Sequence, residues 1–186
     1  MISLPPNKGK LLVAEPSIIG DVSFNRSVVL LADHNAEGSV GFILNKVLDY
    51  SLSELVPGVN KDFKIYNGGP VEQDNLYFIH KVPDLIPGSI EIDGGIFWGG
   101  NFEVVKSLIE NNLIFEGDIK FFLGYSGWDS NQLNVELDAN AWVVIENKDN
   151  KGILQQDATN FWKDKMEELG GDYLIWSNAP ENPSYN

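Results

Sequence analysis

The chain has 186 residues, 43% of them hydrophobic, which is enough for one sizeable core and short for two; a single domain spanning 1–186 is expected. Thirteen basic against 27 acidic residues give a formal net charge of −14 and a pI near 4.4, with the acid spread along the chain: seven basic and twelve acidic residues in 1–93, six and fifteen in 94–186. Lys and Arg form no run, so direct binding to nucleic acid or to an anionic membrane is not expected, and the absence of cysteine excludes disulfides, thiolate metal sites and cysteine catalysis.

The opening "MISLPPNKGK" has no charged segment leading into an apolar run, and no apolar run reaches the length of a membrane span; a soluble, cytoplasmic protein is expected. "KLLVAE" (10–15), "SVVLLA" (27–32) and "SVGFILN" (39–45) are short and rich in Val, Ile and Leu, and polar residues or Gly close them, as for buried strands. "HNAEG" (34–38) joins the last two as a hairpin loop. "SLSELVPG" (51–58) reads as a short helix stopped by Pro57. "KIYNGGP" (64–70) and "NLYFIH" (75–80) are two strands around a Gly-Gly-Pro turn, and "SIEIDGGIFWGG" (89–100) is strand-like but broken by Gly pairs.

In 101–112 the period changes: Phe102, Val105, Leu108 and Ile109 share a helical face behind an Asn101 cap. "IKFFLGYSG" (119–127) and "AWVVIE" (141–146) return to strand. In 157–170, Phe161, Trp162, Met166 and Leu169 make a second helical face, with Asp157 as cap and Gly170 as stop; the tail "NAPENPSYN" is coil. Strands come first and helices are inserted later, which predicts an α+β fold with a mixed, largely antiparallel sheet rather than βαβ alternation.

"GYSGWDSNQL" (124–133) has the look of a serine-hydrolase elbow, but an elbow needs Gly two residues after the serine, where this chain has Trp128. Both histidines, His34 and His80, precede Ser126, whereas an α/β-hydrolase places its histidine last. The segment reads instead as a strand ending in a Gly-flanked turn, with Asp129 and Gln132 as a capping box and Leu133 and Leu137 opening the apolar face of the next helix.

"GYSGWDSNQLNVEL" resembles the signature segment of the YqgE/AlgH family: Gly-(Tyr/His)-(Ala/Ser)-Gly-Trp, then Gly-Gln-Leu and Glu-Leu, with Asn131 standing where the pattern has Gly. "GKLLVAEP", "DVSFNRSVVLL", "HNAEGSVGFILNK", "YNGGPVEQDNLYFIH" and the closing "LGGDYLIWSNAPENPSYN" are similar to further blocks of that family. The resemblance implies a partly barrel-like sheet surrounded by helices and no secure enzymatic reaction. Members are often labelled regulators of transcription; with this charge, such a role would run through a protein or small-molecule partner and not through DNA.

Candidate ligand-binding residues are Arg26, His34, Asn45, Gly68, Gly69, His80, Trp128 and Gln132, at strand ends and in turns, where scaffolds present functional groups. Arg26, the only arginine, is either an anion clamp or the partner of an internal carboxylate such as Asp21 or Asp33. His34 and His80 are either a proton shuttle or metal pair, or structural; no His-x-x-x-His or Glu-x-x-His spacing supports a metal. "NGGPV" (67–71) is either an anion nest or a tight turn, and Glu91 with Asp93 is either a weak Ca²⁺ or Mg²⁺ site or an exposed acidic face. Trp128 is expected at a pocket rim, and most of the tryptophans in the core. No catalytic residue, cofactor or metal is assigned. A non-catalytic binding or regulatory module is the expected function. The alternative is an enzyme whose pocket combines Arg26, His34, Asn45, His80 and Gln132.

Overall fold

The computed structural model describes residues 3–16 and 22–181. Ten strands and five helices follow the order β1 (Leu11–Ala14), β2 (Val28–Asn35), β3 (Gly38–Ile43), β4 (Val47–Ser51), α1 (Leu52–Leu55), β5 (Lys64–Asn67), β6 (Val71–His80), β7 (Ile90–Asp93), β8 (Ile96–Trp98), α2 (Phe102–Glu110), β9 (Ile119–Asp129), α3 (Gln132–Asp138), β10 (Trp142–Ile145), α4 (Phe161–Leu169) and α5 (Tyr173–Ser177). The main path of the sheet runs β10-β1-β2-β3-β9-β6-β8-β7, and β5 joins β4 to β9. Every pairing is antiparallel except β5 with β9, so the α+β fold with a mixed, largely antiparallel sheet is present.

The sheet does not close into a barrel. Among the described residues β10 pairs only with β1 and β7 only with β8. Chain from elsewhere covers these edges: Leu4 N–H donates to Val144 O at 3.1 Å, and Lys8 Nζ to Glu91 O at 3.4 Å. The organiser is β9. Its first half pairs with β5 and β6, and its second half pairs with β3.

The unbroken apolar runs of β1 and β2 reflect burial on both sheet faces. Leu11, Val13, Val28, Leu30, Phe42 and Val143 pack with Phe161, Trp162 and Met166 of α4. The alternate residues Leu12, Val29, Leu31, Ile43 and Val144 pack with Leu133 of α3 and with Trp128 and Trp142. A third cluster seats Val105, Leu108 and Ile109 of α2 against Phe78 and Phe121. The cap on α2 forms as expected, with Asn101 Oδ1 accepting Val104 N–H at 3.2 Å.

Several local readings are corrected. β4 is an unexpected strand, recruited by β5. No turn interrupts 124–129: β3 takes Ser126 and Gly127 opposite Gly41 and Val40, and β9 continues to Asp129. Gly124 has φ +71 within the strand, opposite the register break between Val71 and Leu76, and a Cβ there would lie 2.6 Å from Gly69 O. The α4 cap position is Asn160, not Asp157, whose carboxylate instead accepts Thr159 N–H at 2.9 Å. In the closing segment, α5 forms at 173–177, just ahead of the expected coil, of which 182–186 lie outside the described residues.

Candidate functional site

The candidate residues do not converge on one surface. Arg26 precedes β2 and His34 lies near its end, so along an extended strand they stand about 20–25 Å apart. Arg26 and Asn45 line one cleft of about 490 Å³ with Lys46, Val47, Ala158, Trp162, Lys163 and Glu181. At the other end of β2, two adjoining depressions of about 410 and 420 Å³ lie between the β2–β3 hairpin and the β9–α3 junction; His34 lines the first, Trp128 and Gln132 the second. Gly68, Gly69 and His80 line none of these.

At the first cleft, Arg26 holds φ +53, a left-handed backbone that costs a non-glycine residue on the order of 1 kcal/mol. Asn45 sustains it: Nδ2 donates to Arg26 O at 2.9 Å, and Oδ1 accepts Val28 N–H at 2.9 Å. The guanidinium lies 5.0 Å from the centroid of the Trp162 ring and donates through Nη2 to Ala179 O at 2.8 Å. Trp162 is itself fixed, its Nε1 donating to Ala14 O at 2.9 Å. Among the described residues no carboxylate forms an ion pair with Arg26. Asp33, one suggested partner, is at the far end of β2, and Asp21, the other, is outside the described residues.

Lys46 is half-buried and donates to Asn25 O at 2.5 Å. Burial lowers its pKa; the nearby Glu181 carboxylate opposes that and Arg26 adds to it. Lys163 enters from the first turn of α4, 3.9 Å from Glu167. Three of the thirteen bases of a strongly acidic chain therefore share one concave surface with a single carboxylate, Glu181. Sequence reasoning found Arg26 and missed Lys46 and Lys163. Lys46 is adjacent to Asn45 and was within reach of it; nothing in the sequence links Lys163, on a distant helix, to Arg26.

The other candidates serve the fold. The Gly68 and Gly69 N–H groups are taken by Leu123 O (2.9 Å) and Asn67 Oδ1 (3.1 Å), so "NGGPV" is a turn and not an anion nest. A Cβ on Gly68 would sit 2.2 Å from Gly124 O, which is why glycine stands there. Ser126 is fully buried and donates to Gly68 O at 3.0 Å. His80 is fully buried; its Nδ1 accepts Val82 N–H at 3.3 Å and its Nε2 lies 3.1 Å from Gly99 O, a pairing that requires the neutral Nε2–H tautomer. Burial lowers its pKa. His34 Nδ1 bonds Ser39 Oγ, its cross-strand neighbour, at 2.7 Å.

Trp128 lines the second depression but shows little of its ring there: it is 4% exposed and packs against Phe24 and Trp142. Glu136, which sequence reasoning overlooked, gathers this corner. Its Oε2 accepts both indole N–H groups, from Trp128 at 2.9 Å and Trp142 at 2.8 Å, while Oε1 accepts Gln132 Nε2 at 3.1 Å. Gln132 Oε1 accepts Asp129 N–H at 3.0 Å, but the expected capping box is corrected: Asp129 still belongs to β9, and the cap position of α3 is Asn131. Asn131 holds φ 64, the conformation for which Asn is the usual substitute for Gly, so the departure from the family pattern leaves this turn intact. No group of three or more His, Asp or Glu placed to hold a metal occurs among the described residues, Glu91 and Asp93 included.

The fold and cleft define an α+β domain with a cationic hollow in an acidic body. The chain belongs to the AlgH-like family, whose model matches residues 11–174. It is 40% identical over 187 residues to a UPF0301 protein of Bacteroides thetaiotaomicron and 41% identical over 185 residues to one of Parabacteroides distasonis, each match covering 97% of this chain and 92% of the relative. The solution structure of the AlgH protein from Pseudomonas aeruginosa superposes with a TM-score of 0.73 at 23% identity, covering 97% of this chain and 98% of that one. A crystal structure of a protein from Corynebacterium diphtheriae gives 0.74 at 21% identity, covering 96% and 95%. At those identities the likeness shows the shared fold. No helix among the described residues is long and apolar enough to cross a membrane.

Proposed function

We propose that this chain is a single, non-catalytic binding module that acts through a small-molecule partner seated in the Arg26–Lys46–Lys163 cleft. The observation that carries the reading is Arg26 itself: a strained backbone clamped by Asn45 presents a guanidinium, with no carboxylate partner among the described residues, on the face of a fixed indole. Strain of this kind persists where surrounding bonds over-determine it, and it concentrates at ligand clamps. The enzyme alternative needs Arg26, His34, Asn45, His80 and Gln132 in one pocket, and they occupy three separate places. Duplex DNA does not fit the reading, because three cations in one hollow of a −14 chain make no phosphate-tracking surface.

Mass spectrometry of small molecules that co-purify with the native protein tests this. An anionic compound is expected with the wild type and not with Arg26→Ala. Equal retention by both proteins refutes the site. Saturable binding to duplex DNA at physiological salt, in a gel shift, refutes the exclusion of nucleic acid.

A further inference from the structure

Resting on that reading, we propose that the cleft takes an oxyanion with two or more negative charges, of phosphate or carboxylate chemistry, and that Glu181 is an internal competitor which the ligand displaces. The segment after α5 passes along the cleft. Its Ala179 carbonyl accepts an N–H from Arg26 Nη2 at 2.8 Å and its Glu181 contributes the sole carboxylate of the lining, while Ser177, the last residue of α5, lines the wall. Glu181 is close enough that its charge favours the ammonium of Lys46, yet the two make no ion pair within 4.0 Å. With Glu181 displaced, three cations remain in the lining, Lys163 partly offset by Glu167 at 3.9 Å outside it, and the formal +2 that results is what a dianion would neutralise. A singly charged ligand would leave the hollow partly uncompensated. The guanidinium fork suits two oxygens at once, and the lysines add point charges. Val47 and Ala158 give the same cleft an apolar side, and a hollow of about 490 Å³ has room for a small organic body behind the charged group. A carboxylate of the chain itself, held beside these cations without bonding them, occupies the ligand's electrostatic place weakly.

Isothermal titration calorimetry at low ionic strength, with inorganic pyrophosphate and citrate as separate probes, tests the inference on the full chain. The wild type is expected to bind at least one probe. Glu181→Gln should tighten that binding about 3- to 10-fold by removing a nearby like charge, and added salt should reduce the gain. Glu37→Gln makes the same change in net charge at the far end of β2 and should leave affinity unaltered. Equal affinity of wild type and Glu181→Gln overturns the competitor while leaving the cleft as a site. An equal gain in Glu37→Gln also overturns it, since the effect would then be one of overall charge. No binding of either probe by either protein overturns the oxyanion assignment, and Arg26-dependent retention of some other cellular compound would still support the binding-module reading.

Discussion

The two ends of β2 are built from similar residues toward different results. At the His34 end, the polar groups are satisfied within the chain itself: His34 by the Ser39 hydroxyl, Gln132 by the Glu136 carboxylate and the Asp129 backbone N–H, and two indoles by one carboxylate oxygen. At the Arg26 end, the principal cation is bonded to a backbone carbonyl and stacked on an indole, while two lysines stand beside it over open volume. A network closed on itself holds a corner together, whereas charge with incomplete internal partners is available to a ligand. The family-like motif is therefore no guide by itself to the proposed binding site. The signature around Trp128 belongs to the closed end.

The sharpest way to break this comparison is Glu136→Leu. It strands the N–H groups of Trp128 and Trp142, which are 4% and 3% exposed, and should cost about 2–4 kcal/mol in urea unfolding while leaving anion binding at the other end unchanged. A loss under about 0.5 kcal/mol would mean that the indoles find other acceptors or water.

Asn45→Ala comes next. Removing both bonds of the clamp should lower stability by about 1–3 kcal/mol. Unlike Glu136→Leu, it should also weaken binding in the cleft, because Arg26 loses the support for its left-handed backbone. Unchanged binding would separate the clamp from the site.

Lys120 offers a test behind the cleft. It is 3% exposed, 4.1 Å from the Tyr66 ring centroid, and it donates to Ile153 O at 3.3 Å; Tyr66 and Ile153 belong to the apolar cluster that also holds Trp162. Burial, with a smaller contribution from Lys64, lowers its pKa from 10.5 to about 7. Because the folded value is depressed, the unfolded chain binds more protons between these limits. This residue's contribution should therefore raise stability with pH upward from about 7, by at most about 1.4 kcal/mol per pH unit for one proton, and Lys120→Met should remove that slope. Urea midpoints between pH 7 and 9 decide it, and an identical slope in both proteins would place the charge elsewhere.

The smallest effect is expected from Gln132→Ala. Its bonds to Glu136 and Asp129 are exposed, so the loss should be about 0.5–1 kcal/mol. A change in anion binding with this variant would show that the two ends are coupled after all.

His80 adds a pH test of the closed interior. Its folded pKa lies below the usual 6.5, so its contribution to stability is complete above that value and is lost as pH falls below it. A urea midpoint that stays level through acidification, with the same profile in His80→Gln, would count against a buried neutral imidazole.

Short-range physics made much of this protein legible in its sequence. Unbroken Val, Ile and Leu runs announced strands buried on both faces, as β1 and β2 are. The period of Val105, Leu108 and Ile109 with the Asn101 cap announced α2, and Gly170 marked the end of α4. Tertiary structure decided what depends on partners distant in sequence. Ser126 and Gly127 look like a turn until β3 pairs with them, and Val47–Ser51 is a strand only because β5 lies alongside. The cleft was the least legible part. It joins Arg26 before β2, Lys46 after β3, Lys163 on α4 and Glu181 beyond α5. Electrostatic attraction and packing act through space, and no spacing along the chain encodes which of thirteen bases and 27 acids will meet.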